Sequence, residues 1–412
     1  MRNALLHAAR LQKGWSQQQL ADFAGLSLST IERAERGEPI RADNMERLCT
    51  CLQKTPEQLG LLQLGLFNIE DLGVDRRQAN KTIAGFVSGL LLTSSGLINV
   101  PPLAELWADD LLTVYARGIA ACQDLYFSGS PHQVEAILPL YCNQTALLAR
   151  QLSPLQQSAA KLASQAQQLA CELATDREDF GTAQQAGQQA LLYAQLAGDA
   201  NLQVAALIGL ANLGFHLSSA NPGFQRKHST AALRAYEQAV SLLGENVTPL
   251  LKGRTYAGIA EVYGMRGQFQ EAMRAMGLAY EHYPLKPEDD PAYPYLRASR
   301  YSLYVFGDAQ SRLFLGQPKE ADKALIAMQK ETNDPQIEPV TKLDMLYYQA
   351  AVQIQQGELK PSSTILTEAA MLAKDLGSRL YFNKLAISYH RLQTKWPSEP
   401  LVGALEEVFQ PW

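Results

Sequence analysis

The chain has 412 residues, 47% of them hydrophobic and 19% charged, so it is long enough for two or more domains and a large core. Its formal net charge is −5. Residues 1–62 carry +1 and the rest −6, which restricts contact with a polyanion to the head and excludes a globally basic, nucleic-acid-coating protein. The five cysteines, Cys49, Cys51, Cys122, Cys142 and Cys171, form no CxxC and have no His at metal spacing. They read as reduced, buried thiols in a cytoplasmic protein with no metal and no cofactor. No signal peptide is read at the start of the chain.

Residues 3–12 predict a first helix, with Leu5, Leu6, Ala9 and Leu11 toward the core. The stretch Ser16 to Gly37 reads as two short helices with a tight turn between them. Ser16 caps the first, about Gln17 to Phe23, which buries Leu20, Ala21 and Ala24. Gly25 ends it, because glycine takes a left-handed C-terminal conformation at low cost. Ser27 caps the second helix, about Leu28 to Glu35, and Gly37 stops it. Two such helices joined by a glycine-containing turn make a helix-turn-helix unit. A fourth helix is predicted over 42–53, with Met45, Leu48 and Leu52 at helical spacing. A fifth starts at Thr55-Pro56-Glu57 and ends near Leu62.

Arg10, Gly14, Ser16-Gln17, Leu20-Ala21, Gly25, Ser27, Ser29-Thr30, Ile31, Glu35 and Gly37 resemble, in one register, the DNA-binding domain of the Xre/Cro phage-repressor family. The resemblance covers about the first 62 residues. It implies that the second helix of the unit enters the major groove of double-stranded DNA while the first crosses the phosphate backbone. Ser27, Leu28, Ser29, Glu32 and Arg33 would then face the groove. Arg33 is best equipped to read a base, by a bidentate contact to guanine; Leu28 suits a thymine methyl, and Ser29 discriminates weakly. Gln17 would hold a phosphate through backbone and side chain, with Arg41 as a second backbone contact. Arg10 and Glu35 would form a structural ion pair, as the family often does. A head carrying only +1 binds weakly alone, which predicts a homodimer that pairs two heads.

Residues 63–102 read as a linker. It contains Thr82 to Ile98, seventeen residues without charge. A membrane span needs about 20 strongly apolar residues. This run is short and rich in Ser, Thr and Gly, so we read it as a buried helix packing the head onto the body, or as a dimer contact. Pro101-Pro102 then breaks the chain.

From Leu103 to the end, helical patterns recur. Between Gly253 and about Lys286, the residues Tyr256, Ile259, Ala260, Tyr263, Gly267, Ala272, Met276, Ala279 and Pro284 resemble a tetratricopeptide repeat. Weaker copies cover 165–196, 200–243 with an Asn-Pro-Gly insert at 218–230, 303–329 and 343–375. A leading pair spans 103–151, and a closing pair, split at Pro397, spans 379–410. The expected fold is therefore all-α, a five-helix Xre-type head (1–62) followed by a tetratricopeptide-like solenoid (103–412) with a concave groove.

Carrying the strongest repeat's register across the others gives a polar column, Glu172, Asn212, Glu261 and Gln310, with Gln168, Arg254 and Tyr347 beside it. An Asn there can hold a peptide backbone through donor and acceptor together, and the acidic residues suit a ligand with positive charge. There is no GxxxxGKS or GxxxxGKT, no HExxH and no GxSxG, since residues 85–89 read GFVSG, so nothing in the chain argues for an enzyme or a catalytic residue. The layout is similar to Gram-positive peptide-pheromone receptors, which implies a cytoplasmic quorum-sensing regulator that binds a short peptide or other small ligand. A repeat-based interaction scaffold, localised to DNA by its head, is the alternative.

Overall fold

The computed structural model describes residues 6–7, 9–10, 13, 15–36, 40, 42–52, 54, 59, 108–220, 225–331 and 338–410. The helix expected from Thr55, the linker with its apolar run, and Arg41 lie outside these residues. The described regular structure is helical, with no strand among the described residues, so the fold is all-α. Contacts divide the chain into two units, Met1–Glu105 and Leu106–Trp412.

In the first unit, Leu6, His7, Ala9 and Arg10 are helical, followed by α1 (Gln17–Ala24), α2 (Leu28–Arg36) and α3 (Ala42–Leu52). Ser16 caps α1 reciprocally: its Oγ accepts the Gln19 backbone N–H at 3.2 Å, and its own N–H donates to Gln19 Oε1 at 2.8 Å. Gly25 stands at φ +66°, the left-handed conformation that lets Leu26 N–H return to the Ala21 carbonyl. Ser27 Oγ accepts Thr30 N–H at 3.3 Å and so starts α2. The apolar faces of these helices, among them Leu20, Ala21, Ile31, Ala34 and Leu48, close one small core.

The second unit is a run of helix pairs: α4 (Ala108–Phe127) with α5 (Pro131–Arg150), α6 (Gln156–Asp176) with α7 (Phe180–Leu196), α8 (Ala200–Ala220) with α9 (Gln225–Leu242), and α10 (Pro249–Met265) with α11 (Phe269–His282). After a shorter-stepped segment come α12 (Pro318–Glu331), the pair α13 (Pro339–Gln356) and α14 (Leu359–Leu376), and α15 (Arg379–Lys395). Alanines let each pair approach: Ala260, Ala272, Ala275 and Ala279 are all buried between α10 and its neighbours. Helix α8 is apolar enough and long enough to cross a membrane, yet Val204, Ala205, Leu207, Ile208 and Ala211 are core residues of this unit.

Two expectations need correction. The insert at 218–230 is largely helix, because α8 runs on to Ala220 and α9 begins at Gln225. The Asn-Pro-Gly signal itself, at 221–223, lies outside the described residues. The first helix of the pair expected over 303–329 is irregular: a π-helix, Leu303–Ala309, leads into the short helix Gln310–Phe314. Within it, Gly307 faces Ala257 of α10 and Met276 of α11.

The run of pairs also closes on itself. Arg177 Nη1, just past α6, donates to the carbonyl of Gly377 and to that of Leu376 at 3.5 Å. Ser378 Oγ bonds Asp176 at 3.2 Å, Asn383 Nδ2 bonds Glu178 at 2.6 Å, and Arg297 pairs with Asp124. The last helices therefore sit against the first ones of the unit.

Close approach makes one glycine critical. A Cβ on Gly264 would stand 2.9 Å from the backbone Cα and carbonyl oxygen of Ser311, whereas one on Gly277, exposed on α11, would meet nothing within 4 Å. Replacing Gly by Ala inside a helix gains about 1 kcal/mol of propensity, but overpacking against backbone costs about 1–3 kcal/mol. Gly264→Ala is expected to lower the stability of the body in urea titrations, and Gly277→Ala to leave it unchanged or raise it.

Candidate functional site

Two sets of residues present chemistry. On the head, the end of α2 is fixed by a buried knot. Arg10 Nε donates to Glu35 Oε1 at 2.5 Å, Arg10 Nη2 reaches Oε2 at 3.2 Å, and Arg10 Nη1 holds the Trp15 carbonyl at 2.7 Å. His7 Nδ1 lies 3.2 Å from Glu35 Oε2, and Gln17 Nε2 donates to the same oxygen at 2.7 Å. Burial alone would raise the Glu35 carboxyl, but these hydrogen bonds and the Arg10 charge outweigh it and hold it below the usual range. The knot ties the residue 6–10 helix, α1 and α2 into one orientation.

That orientation leaves Leu28, Ser29 and Arg33 exposed and Glu32 half-buried on α2, as a groove-facing helix requires. Ser27 is exposed, yet its hydroxyl also lies 2.8 Å from Thr30 Oγ1 and 2.9 Å from Ser29 Oγ, so much of its bonding capacity is used in starting the helix. Gln17, at the start of α1, has a side-chain N–H engaged within the head, on Glu35. Arg47 on α3, not singled out in the sequence, reaches the turn and donates to the Gly25 carbonyl at 3.1 Å.

In the body, a cavity of about 180 Å³ opens among α6, α8, α10, the π-helix and the returning helices α13 and α15. Four of the seven residues expected to bind a ligand line it: Gln168, Glu172, Asn212 and Arg254. The other three are directed elsewhere. Glu261 forms a buried ion pair with Arg254 at 3.0 Å. Gln310 accepts from Tyr348 OH at 2.6 Å. Tyr347 packs edge-on against Tyr348 and Tyr381. Arg254 is further fixed by Asn212 Oδ1 at 3.3 Å, which also accepts from Tyr236 OH at 2.9 Å, and its guanidinium lies over Phe306 of the π-helix.

Ring closure adds residues that periodicity did not mark. Asp176 and Asp344 line the cavity, as do His216, Tyr126 and Tyr381. Asp176 accepts from Tyr126 OH at 2.8 Å and from Ser378. Lys384 on α15 is buried and donates to His216 Nδ1 at 3.1 Å, with its ammonium over the rings of Tyr381 and Tyr347. Burial lowers Lys384 to about 8, against the pull of Asp344 and Asp176. Burial raises Asp344 to about 7, against the Tyr381 hydrogen bond and Lys384. Glu172 projects into the open space of the cavity, where enclosure first and the Asp176 charge second move it upward. No group of three or more His, Cys, Asp or Glu suited to a metal ion occurs among the described residues.

Residues 6–59 match the helix-turn-helix family model. The chain carries a DNA-binding helix-turn-helix domain at its N-terminus. That family comprises DNA-binding regulators, not enzymes. No curated protein matches the chain. The α1–turn–α2 unit lies within the matched residues, which support a DNA-binding regulator, and a long helical-repeat-like region follows it.

His216 gives a pH signature. Burial, then Lys384 and Arg254, depress its pKa well below 6.5 in the native state. The unfolded chain therefore binds the extra proton first, and this group's contribution to stability is present above about pH 6.5 and lost as pH falls below it. His216→Gln keeps an acceptor for Lys384 but not the titration. Relative to this variant, the wild type is expected to lose up to about 1.4 kcal/mol per pH unit below pH 6.5 in chemical denaturation; parallel pH curves would show that His216 takes up its proton as readily in the native state as in the unfolded chain.

Proposed function

We propose that the protein is a sequence-specific transcriptional regulator in which the helical body holds a peptide or other small ligand and mediates dimerisation. The observation that supports this most is the closed body with a polar cavity, lined by Gln168, Glu172, Asn212 and Arg254. A scaffold for large protein partners needs an open concave groove, whereas here the last helices are bonded to the first. The tetratricopeptide-like reading of the pairs, and the likeness of the layout to peptide-pheromone receptors, point the same way. Two heads on one operator recover the affinity that a single weakly charged head lacks, and a ligand that alters the body changes how the heads are spaced.

A genomic-fragment selection with the full-length protein, with and without extract of its own host, tests this reading. A palindromic site whose occupancy shifts with the extract is the expected result. Occupancy indifferent to the extract would overturn the ligand switch, and no selected site would overturn the operator reading. On the selected site, Arg33→Ala is expected to cost about 1–3 kcal/mol and to relax choice at one base pair. Equal losses on all sequences in gel-shift titrations would instead make Arg33 a phosphate contact.

A further inference from the structure

The cavity carries more acid than its walls neutralise. Its carboxyl groups are Glu172, Asp176 and Asp344. Its two guanidinium groups are paired with other carboxylates, Arg254 with Glu261 and Arg297 with Asp124, although Arg297 Nε is buried without a hydrogen-bond partner. His216 is held neutral by its surroundings and accepts a hydrogen bond from Lys384, which reaches in from behind the wall.

Asp344 is 8% exposed, and its Oδ1 has no hydrogen-bond partner. Leaving a buried carboxyl oxygen unmatched costs free energy, and native structures keep such groups where something else completes them. Aromatic rings stand beside the acids: Tyr126, Phe127, Phe306 and Tyr381 all line the same space. An aromatic face and a carboxylate together favour an organic cation over an anion or a neutral amide. The volume, about 180 Å³, limits the group that enters, since a cavity of roughly 150 Å³ holds one benzene-sized molecule.

From these observations we infer that the cavity binds a primary ammonium group carried on one residue-sized apolar body, with Asp344 Oδ1 as its principal acceptor and Glu172 and Asp176 as flanking carboxyl groups. The inference rests on the ligand-holding body proposed above and narrows its ligand class. The ammonium belongs either to a small free amine or to the amino end of a short peptide whose remaining residues extend out of the cavity.

The test is calorimetric titration of the full-length protein and of Asp344→Asn with phenethylamine, with tetra-alanine bearing a free amino terminus, with the N-acetylated form of each, and with phenylacetate. The expected result is saturable binding of at least one of the two amines, none of its acetylated counterpart or of phenylacetate, and affinity about 30-fold weaker or worse in Asp344→Asn. Thermal unfolding of unliganded Asp344→Asn is expected close to the wild-type temperature, because burial already disfavours the ionised carboxyl. Binding of phenethylamine alone assigns the site to free amines, and binding of the peptide alone assigns it to peptide amino ends. Failure of both amines, equal binding of acetylated compounds or phenylacetate, or undiminished binding by a folded Asp344→Asn would overturn the inference. Repeating the genomic-fragment selection separates the two claims. If extract shifts occupancy while the amines fail, the ammonium site falls and the ligand-switched regulator stands; if an amine binds but no ligand shifts occupancy, the reverse holds.

Discussion

Closing a stack of helix pairs onto itself traps whatever its inner face carries. An open solenoid leaves the polar residues of its concave wall in water. Here Arg177, Ser378 and Asn383 join the last helices to the first, and Asp344, Lys384, Arg254 and Glu261 become buried in consequence. Removing charges from water costs several kcal/mol per ion unless geometry restores it. Arg254 and Glu261 restore it by pairing, and Asp176 by hydrogen bonds from Tyr126 and Ser378. Asp344 does so only in part. The perturbed carboxyls, the depressed Lys384 and the neutral His216 all follow from that one topological fact.

The head obeys the same rule on a smaller scale. Glu35 is buried at the end of the reading helix, yet it stays ionised because Arg10, Gln17 and His7 surround it. The groups that solvate it come from two other segments, the residue 6–10 helix and α1, so satisfying one carboxylate ties both of them to α2. A base-reading side chain such as Arg33 is useful only if the helix under it is held in this way, since bidentate recognition tolerates little displacement.

What could be read from the chain was local. Ser16, Gly25 and Ser27 act within four residues of themselves, and each does in the structure what its chemistry predicts. Helix pairs in the body were legible because alanines recur at buried positions. The π-helix at Leu303–Ala309 was not, because nothing in LYVFGDA separates that turn from an ordinary helix. The ligand wall was half legible. Extending one repeat's register placed Asn212 and Arg254 in the cavity, but it also selected Glu261 and Gln310, which the irregular segment and α13 cover. Asp344 and Lys384 carry no periodic signal at all. They matter only because the chain returns to meet α6 and α8, a contact between residues about 170 positions apart at Lys384 and His216.

Asp176 occupies both arrangements at once. Its carboxyl lines the cavity and also accepts from Ser378, at the junction where α15 meets α6. Arg177 and Glu178, the next two residues, bond Gly377 and Asn383 of the returning chain. A ligand shifts a conformational equilibrium only through different interactions with its two states. A cation at Asp176 changes the charge that Tyr126 and Ser378 must satisfy, so its binding energy is coupled to the contacts that keep the body closed. Coupling of this kind amounts to about 1–3 kcal/mol in known switches, comparable to one or two of the junction's hydrogen bonds. The junction thus has the right size for a small ligand to control: strong enough to hold the helices together without it, and weak enough to be altered by one ion pair.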